Sequence, residues 1–98
     1  MFNFDKIDKT IHEKARLSIM TLLATRECWS FQDLKTELKM SDGNLITHLR
    51  ILYDAGLVSK SREHIDRPQT NYAMTEKGKI SYQEYLNLLE QIIKTGKN

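Results

Sequence analysis

Four stretches of the chain space their apolar residues as amphipathic helices do, and two short stretches alternate as strands do. In the first, residues 5–25, Ile11, Ala15, Ile19 and Leu22 share one face and Leu23 lies beside it. Any break falls near His12 and Glu13: either Asp8 caps a continuous helix, or the first segment is a separate short arm. Cys28 and Trp29 read as a brief extended link. Ser30 then caps a second helix, with Asp33 at the third position as a capping-box variant and Trp29 against Leu34 as a hydrophobic staple. That helix runs to about residue 38, and only Lys39 and Met40 separate it from the next cap. Two short helices joined so tightly form a helix-turn-helix unit.

The third helix, residues 42–55, has a defined start and stop. The Ser41 hydroxyl is placed to accept from the N–H of Gly43 or Asn44, and Met40 and Leu45 can form a staple. Asp42 puts a negative charge at the positive end of the helix dipole. Gly56 suits the left-handed position after the C-cap, which brings Leu57 against Leu52 in a Schellman ending. Leu45, Leu49 and Leu52 repeat at i, i+4 and i+7 and face a core. Asp42, Asn44, Thr47, His48 and Arg50 occupy the remaining face. Gly43 costs about 1 kcal/mol inside a helix relative to alanine, so its place near the start asks for a reason. Close approach of backbone N–H groups to a phosphate supplies one.

Residues 57–62 and 70–74 read as two strands of a hairpin, with a polar loop over 63–69. Pro68 holds Arg67 extended at its tip, a placement suited to a narrow minor groove or its phosphates. Thr75 caps the last helix, which runs to about residue 95 with Gly96 as a stop. Tyr82, Leu86, Leu89 and Ile93 form one stripe on it, widened by Tyr85, Leu88 and Ile92. So broad an apolar face exceeds what one small subunit covers at its own C-terminus. The expectation is pairing with the same helix of a second subunit, joined by Phe2, Phe4 and Ile7 of the arm.

The string Ser41-Asp42-Gly43-Asn44-Leu45, His48-Leu49, Leu52 and Ala55-Gly56-Leu57-Val58 resembles the recognition helix of MarR/ArsR-like winged-helix transcriptional regulators, in their small single-domain branch. Arg67-Pro68-Gln69-Thr70 and Met74-Thr75-Glu76-Lys77-Gly78 resemble that branch's wing and post-wing segment, so the likeness covers nearly the whole chain. Two departures bear on base contacts: Ile46 stands where the family often has serine, and Thr47 where it often has a basic residue. The resemblance implies an α+β, mostly α fold: a winged helix-turn-helix with a two-stranded wing and a long C-terminal dimerisation helix. Residues 1–98 form one domain in this reading: arm and first helix over 1–25, helix-turn-helix over 30–55, wing over 57–75 and dimerisation helix over 76–95.

Composition adds limits. The 98 residues allow one modest core, and 40% hydrophobic with 29% charged is ordinary for a globular chain. No apolar run approaches the roughly 20 residues of a membrane span, and the start lacks the order of a signal peptide. A lone cysteine excludes an intrachain disulfide and fits a reducing cytoplasm; beside Trp29, Cys28 reads as a small buried hydrophobe. The net charge of +2 argues weakly for nucleic acid. Locally, Arg50, Lys60, Arg62, Arg67, Lys77 and Lys79 stand against Asp42, Asp54, Glu63, Asp66 and Glu76. Binding through so few cations should fall steeply with salt and gain from two copies.

Catalytic chemistry finds no support. His12, His48 and His64 fall in three different elements, no nucleophile–base pair is visible, and no phosphate loop or dinucleotide fingerprint occurs. The chain is expected to be no enzyme and to take no metal, cofactor or small-molecule ligand. The reading is a cytoplasmic homodimer that binds a pseudo-palindromic DNA duplex with half-sites about 10 bp apart or a multiple of that. Asn44 and His48 are expected at base edges and Thr47 and Ser41 at phosphate or base, with Asp42 and Gly43 in the same DNA-binding set. Arg50, Lys60, Arg62 and Arg67 supply phosphate and wing contacts, and Gln32, Lys35 or Lys39 is available to the backbone. Ile46 meets a thymine methyl if it faces outward. Tyr82, Tyr85, Leu86, Leu89, Ile92 and Ile93 form the dimer interface. The alternative is a winged helix that docks on a protein partner and binds no specific DNA.

Overall fold

In the computed structural model, which describes residues 3–64 and 68–97, a single 3₁₀ turn at Phe4–Lys6 precedes four helices and three strands. The helices are α1 (Lys14–Leu23), α2 (Phe31–Leu38), α3 (Asp42–Asp54) and α4 (Glu76–Gly96). The strands are β1 (Trp29–Ser30), β2 (Val58–His64) and β3 (Pro68–Met74).

The N-terminal segment is separate from α1. The Asp8 carboxylate accepts from the N–H of Thr10 at 2.9 Å and of Ile11 at 3.2 Å, closing a turn instead of opening a long helix. Ile11 is thereby driven into the core, and Glu13 starts α1 by accepting from the Arg16 N–H at 2.9 Å.

Local signals specify the next two helices. Ser30 Oγ accepts from Asp33 N–H at 3.0 Å, and Ser41 Oγ accepts from Asn44 N–H at 3.2 Å. Lys39 ends α2 in the left-handed region, φ 55°, which turns the chain at once toward Ser41. Gly56 ends α3 at φ 79°. Its N–H bonds the Tyr53 carbonyl at 2.9 Å, while Leu57 N–H bonds that of Leu52 at 3.0 Å, the two bonds of a Schellman ending.

The sheet has three strands in the order β1-β3-β2, all antiparallel. Trp29 pairs with Tyr72 and Ser30 with Asn71, so the expected link is in part a third strand. The hairpin strands also run further than the expected 57–62 and 70–74, with His64 opposite Pro68. Cys28 is exposed, contrary to the expectation of a buried hydrophobe. Its neighbour Trp29 takes the interior position, donating from Nε1 to the Leu22 carbonyl at 2.7 Å.

Leu45, Leu49 and Leu52 of α3 meet Ile19, Met20 and Leu23 of α1, Leu34 of α2, and Leu57 and Val58 of β2 in one core. Burying a side chain of this size contributes roughly 2 kcal/mol, so the leucine stripe holds α3 firmly. At the end of the wing Thr75 both caps α4, accepting from Gly78 N–H at 2.9 Å, and donates to the Gly56 carbonyl at 2.6 Å. Lys77 Nζ donates to the Ala55 carbonyl at 2.9 Å. Gly78 packs so closely that a Cβ there would overlap the Leu57 carbonyl.

The radius of gyration, 14.9 Å, exceeds the roughly 12.6 Å of a compact chain of this length. The long axis measures 54 Å against 25 and 21 Å. Among the described residues, no helix is long and apolar enough to cross a membrane.

Candidate nucleic-acid interface

With its leucines inward, α3 turns Gly43, Ile46, Thr47 and Arg50 outward, and Asn44 lies exposed at one margin. A Cβ on Gly43 would meet nothing within 4 Å, so nothing in the chain itself requires a glycine there. Thr47 Oγ1 donates to the Gly43 carbonyl at 2.9 Å. Asp42 is engaged: its carboxylate lies 2.8 Å from Lys35 Nζ, which ties α2 to α3 and neutralises a lysine expected to be free for phosphate.

His48 departs from the expected reading face. Its side chain is only 22% exposed and leans back on α1, with Nδ1 3.2 Å from Arg16 Nη1 and 3.7 Å from Glu13 Oε1. The cause is angular: His48 sits three residues after Leu45 and one before Leu49, at the edge of the buried stripe. Glu13 is held below its ordinary value of 4.5, chiefly because it accepts from the Arg16 N–H, with His48 and Arg16 adding smaller attractions. His48 thus lies at the margin of the exposed face and braces α3 against α1.

The hairpin flanks this surface. A cleft of about 500 Å³ between α2, α3 and the wing is lined by Phe31, Gln32, Ile46, Arg62, Thr70 and Tyr72, among others. A second, of about 240 Å³, is bordered by Ile46, Arg50, Tyr53, Lys60 and Tyr72. Arg62 Nη1 donates to Thr70 Oγ1 at 3.3 Å, and Lys60 Nζ lies 4.6 Å from the centroid of the Tyr53 ring. The hydrogen bond and the cation–ring contact lay these cations along the hairpin and α3 at the cleft margins. Burial pushes the Tyr72 phenol above its ordinary value, so it remains an uncharged donor at neutral pH. Arg67, expected at the wing tip, lies outside the described residues.

On α4, Tyr85 is 2% exposed and bonds His12 Nδ1 through its hydroxyl at 2.8 Å. It is a core residue of its own subunit, which corrects its assignment to a dimer interface. Tyr82 and Leu89 are half-buried against the same core, and Tyr82 OH lies 2.9 Å from Thr21 Oγ1. Leu86 and Ile93 stay exposed and Ile92 half-buried.

Sequence reasoning missed Arg16, Tyr53 and Tyr72. No local pattern marks Arg16, since its partner His48 lies 32 residues away. Strand alternation in residues 70–74 does place Tyr72 on one face of the hairpin, a signal left unused.

A family model described as a winged helix DNA-binding domain matches residues 15–93. An uncharacterized protein of Methanocaldococcus jannaschii is 32% identical over 87 residues, 88% of this chain and 95% of that one. The structure of a transcriptional regulator homologue from Pyrococcus horikoshii OT3 superposes with a TM-score of 0.84 at 30% identity, over 88% of this chain and 86% of that one. A protein of Enterococcus faecalis V583 assigned to the MarR family of transcriptional regulators shares the fold, with a TM-score of 0.80 at 23% identity over 97% and 94% of the two chains.

Proposed function

The chain belongs to the winged helix DNA-binding domain family, and from that premise we propose that it is a transcriptional regulator working as a homodimer on a pseudo-palindromic duplex. One observation carries this reading. On the first two turns of α3, Gly43, Asn44, Ile46 and Thr47 are exposed along one face, while Leu45, Leu49, Leu52 and a Schellman ending anchor the opposite face. Gly43, Asn44, Thr47 and Arg50 then enter the major groove, where helix N–H groups and side chains meet phosphates and base edges. Ser41 and Asp42 set the start of the helix at the groove margin. Lys60 and Arg62 follow the phosphates beside it.

Dimerisation through α4 is supported by its length and its uncovered side chains. Its 21 residues span about 31 Å, and Leu86 and Ile93 face solvent, Ile93 at 55%. With Tyr82, Leu89 and Ile92 half-covered, a second copy of α4 offers the matching surface.

A gel-shift titration against genomic fragments at two salt concentrations tests the reading. Selective binding that weakens as salt rises is the expected result, and binding that ignores salt contradicts the phosphate contacts. The exposed Ile51 and Tyr53 on α3 favour one other reading, docking on a protein partner. That reading gains if no fragment is bound.

A further inference from the structure

Ile46 is an exposed apolar side chain flanked by cationic ones. It is 44% exposed, and it lines both clefts beside α3. Arg62 and Gln32 border it on one side, Arg50 and Lys60 on the other. Its neighbours one turn back and one residue on offer little hydrogen bonding. Gly43 has no side chain, and the Thr47 hydroxyl already donates to the Gly43 carbonyl. Ile46 thus presents branched hydrocarbon between two clefts whose lining carries Arg62, Arg50 and Lys60 against the single acid Asp54, with Phe31, Tyr53 and Tyr72 as aromatic walls.

Cations on either side favour a polyanion over an apolar partner. On the major-groove edges of base pairs, the apolar group is the 5-methyl of thymine. We propose that Ile46 is a specificity-determining residue that reads a pyrimidine 5-methyl group, so that each half-site holds a thymine against it. This rests on the DNA-binding reading and adds to it a base and an atom. Covering one methyl group is worth about fourfold in affinity.

The test uses the intact protein and a duplex selected from a random-sequence pool. Thymines of that duplex are replaced one at a time by deoxyuridine, which removes the methyl and leaves every hydrogen-bonding group in place. The expected result is one position per half-site where the wild type loses about fourfold, a loss absent from Ile46→Ala and retained by Ile46→Val. Ile46→Ala changes an exposed side chain, and an unaltered thermal melt verifies its fold. Two results overturn the inference while leaving the DNA reading intact. One is specific binding by the wild type that no deoxyuridine weakens, and the other is the same sensitivity surviving in Ile46→Ala. If selection recovers no preferred duplex, the DNA reading itself fails and the inference falls with it.

Discussion

Arg16 Nη1 stands 3.2 Å from His48 Nδ1, and Arg16 Nε donates to the Thr10 carbonyl at 2.6 Å. One guanidinium thus fastens the turn before α1 to the middle of α3. A guanidinium only donates, so this contact asks His48 Nδ1 to accept, which the tautomer protonated at Nε2 allows. Nitrogen NMR at neutral pH should find His48 in that tautomer. Arg16→Ala should remove the bias and cost about 1–3 kcal/mol in a urea titration, since it leaves the Thr10 carbonyl without this donor. If DNA affinity also drops, the brace matters to reading.

Glu13 supplies the acid dependence. Its folded value lies below 4.5, so the charged form is favoured in the native state. The stabilisation is present above 4.5 and is lost as pH falls through the lower folded value. Unfolding midpoints should decline over that range in the wild type and decline less in Glu13→Gln. At neutral pH Glu13→Ala should cost about 1 kcal/mol as a lost helix cap.

Gly43 of α3 and Gly78 of α4 should respond in opposite directions. Gly78→Ala forces a methyl against the Leu57 carbonyl and the Met74 side chain, and should destabilise by about 2–3 kcal/mol. Gly43→Ala enters open space in a helix and should stabilise by up to about 1 kcal/mol. If Gly43 serves a backbone approach to phosphate, that more stable variant binds DNA less tightly. Thermal melts and gel shifts on the same two variants check both halves.

Charge placed on the uncovered flank of α4 should separate subunits without unfolding them. Leu86→Glu and Ile93→Glu are expected to give monomers by analytical ultracentrifugation, with circular dichroism unchanged. Tyr85→Phe should instead leave assembly intact and cost about 1 kcal/mol, because its hydroxyl serves His12 within the subunit.

Sequence preference and general affinity should come apart by residue. Asn44→Ala is expected to relax preference at one position of the half-site by about 1–3 kcal/mol. Arg62→Ala should weaken all duplexes alike and lower the slope of log affinity against log salt by about one.

Helix boundaries were legible because their causes are short-range. Ser30, Ser41 and Thr75 cap groups three residues ahead, and Gly56 ends α3 by its own φ. What escaped depends on partners far along the chain. The Tyr85 hydroxyl meets His12 across 73 residues, which no pattern on α4 distinguishes from an outward tyrosine. His48 lies at the border of a leucine stripe, where helical spacing fits either side and only Arg16 decides. The pairing of Trp29 and Ser30 with β3 involves two residues, too few for alternation to register.

Thr75 and Lys77 both end on the carbonyls that close α3, at Gly56 and Ala55, leaving no loose joint between α3 and α4. In a two-fold assembly built on α4, the gap between the two reading tips is then a gauge machined into each subunit. A spacer one base pair too long turns the second site by about 35° and pushes it off that gauge. Such a protein measures its duplex as well as spelling it.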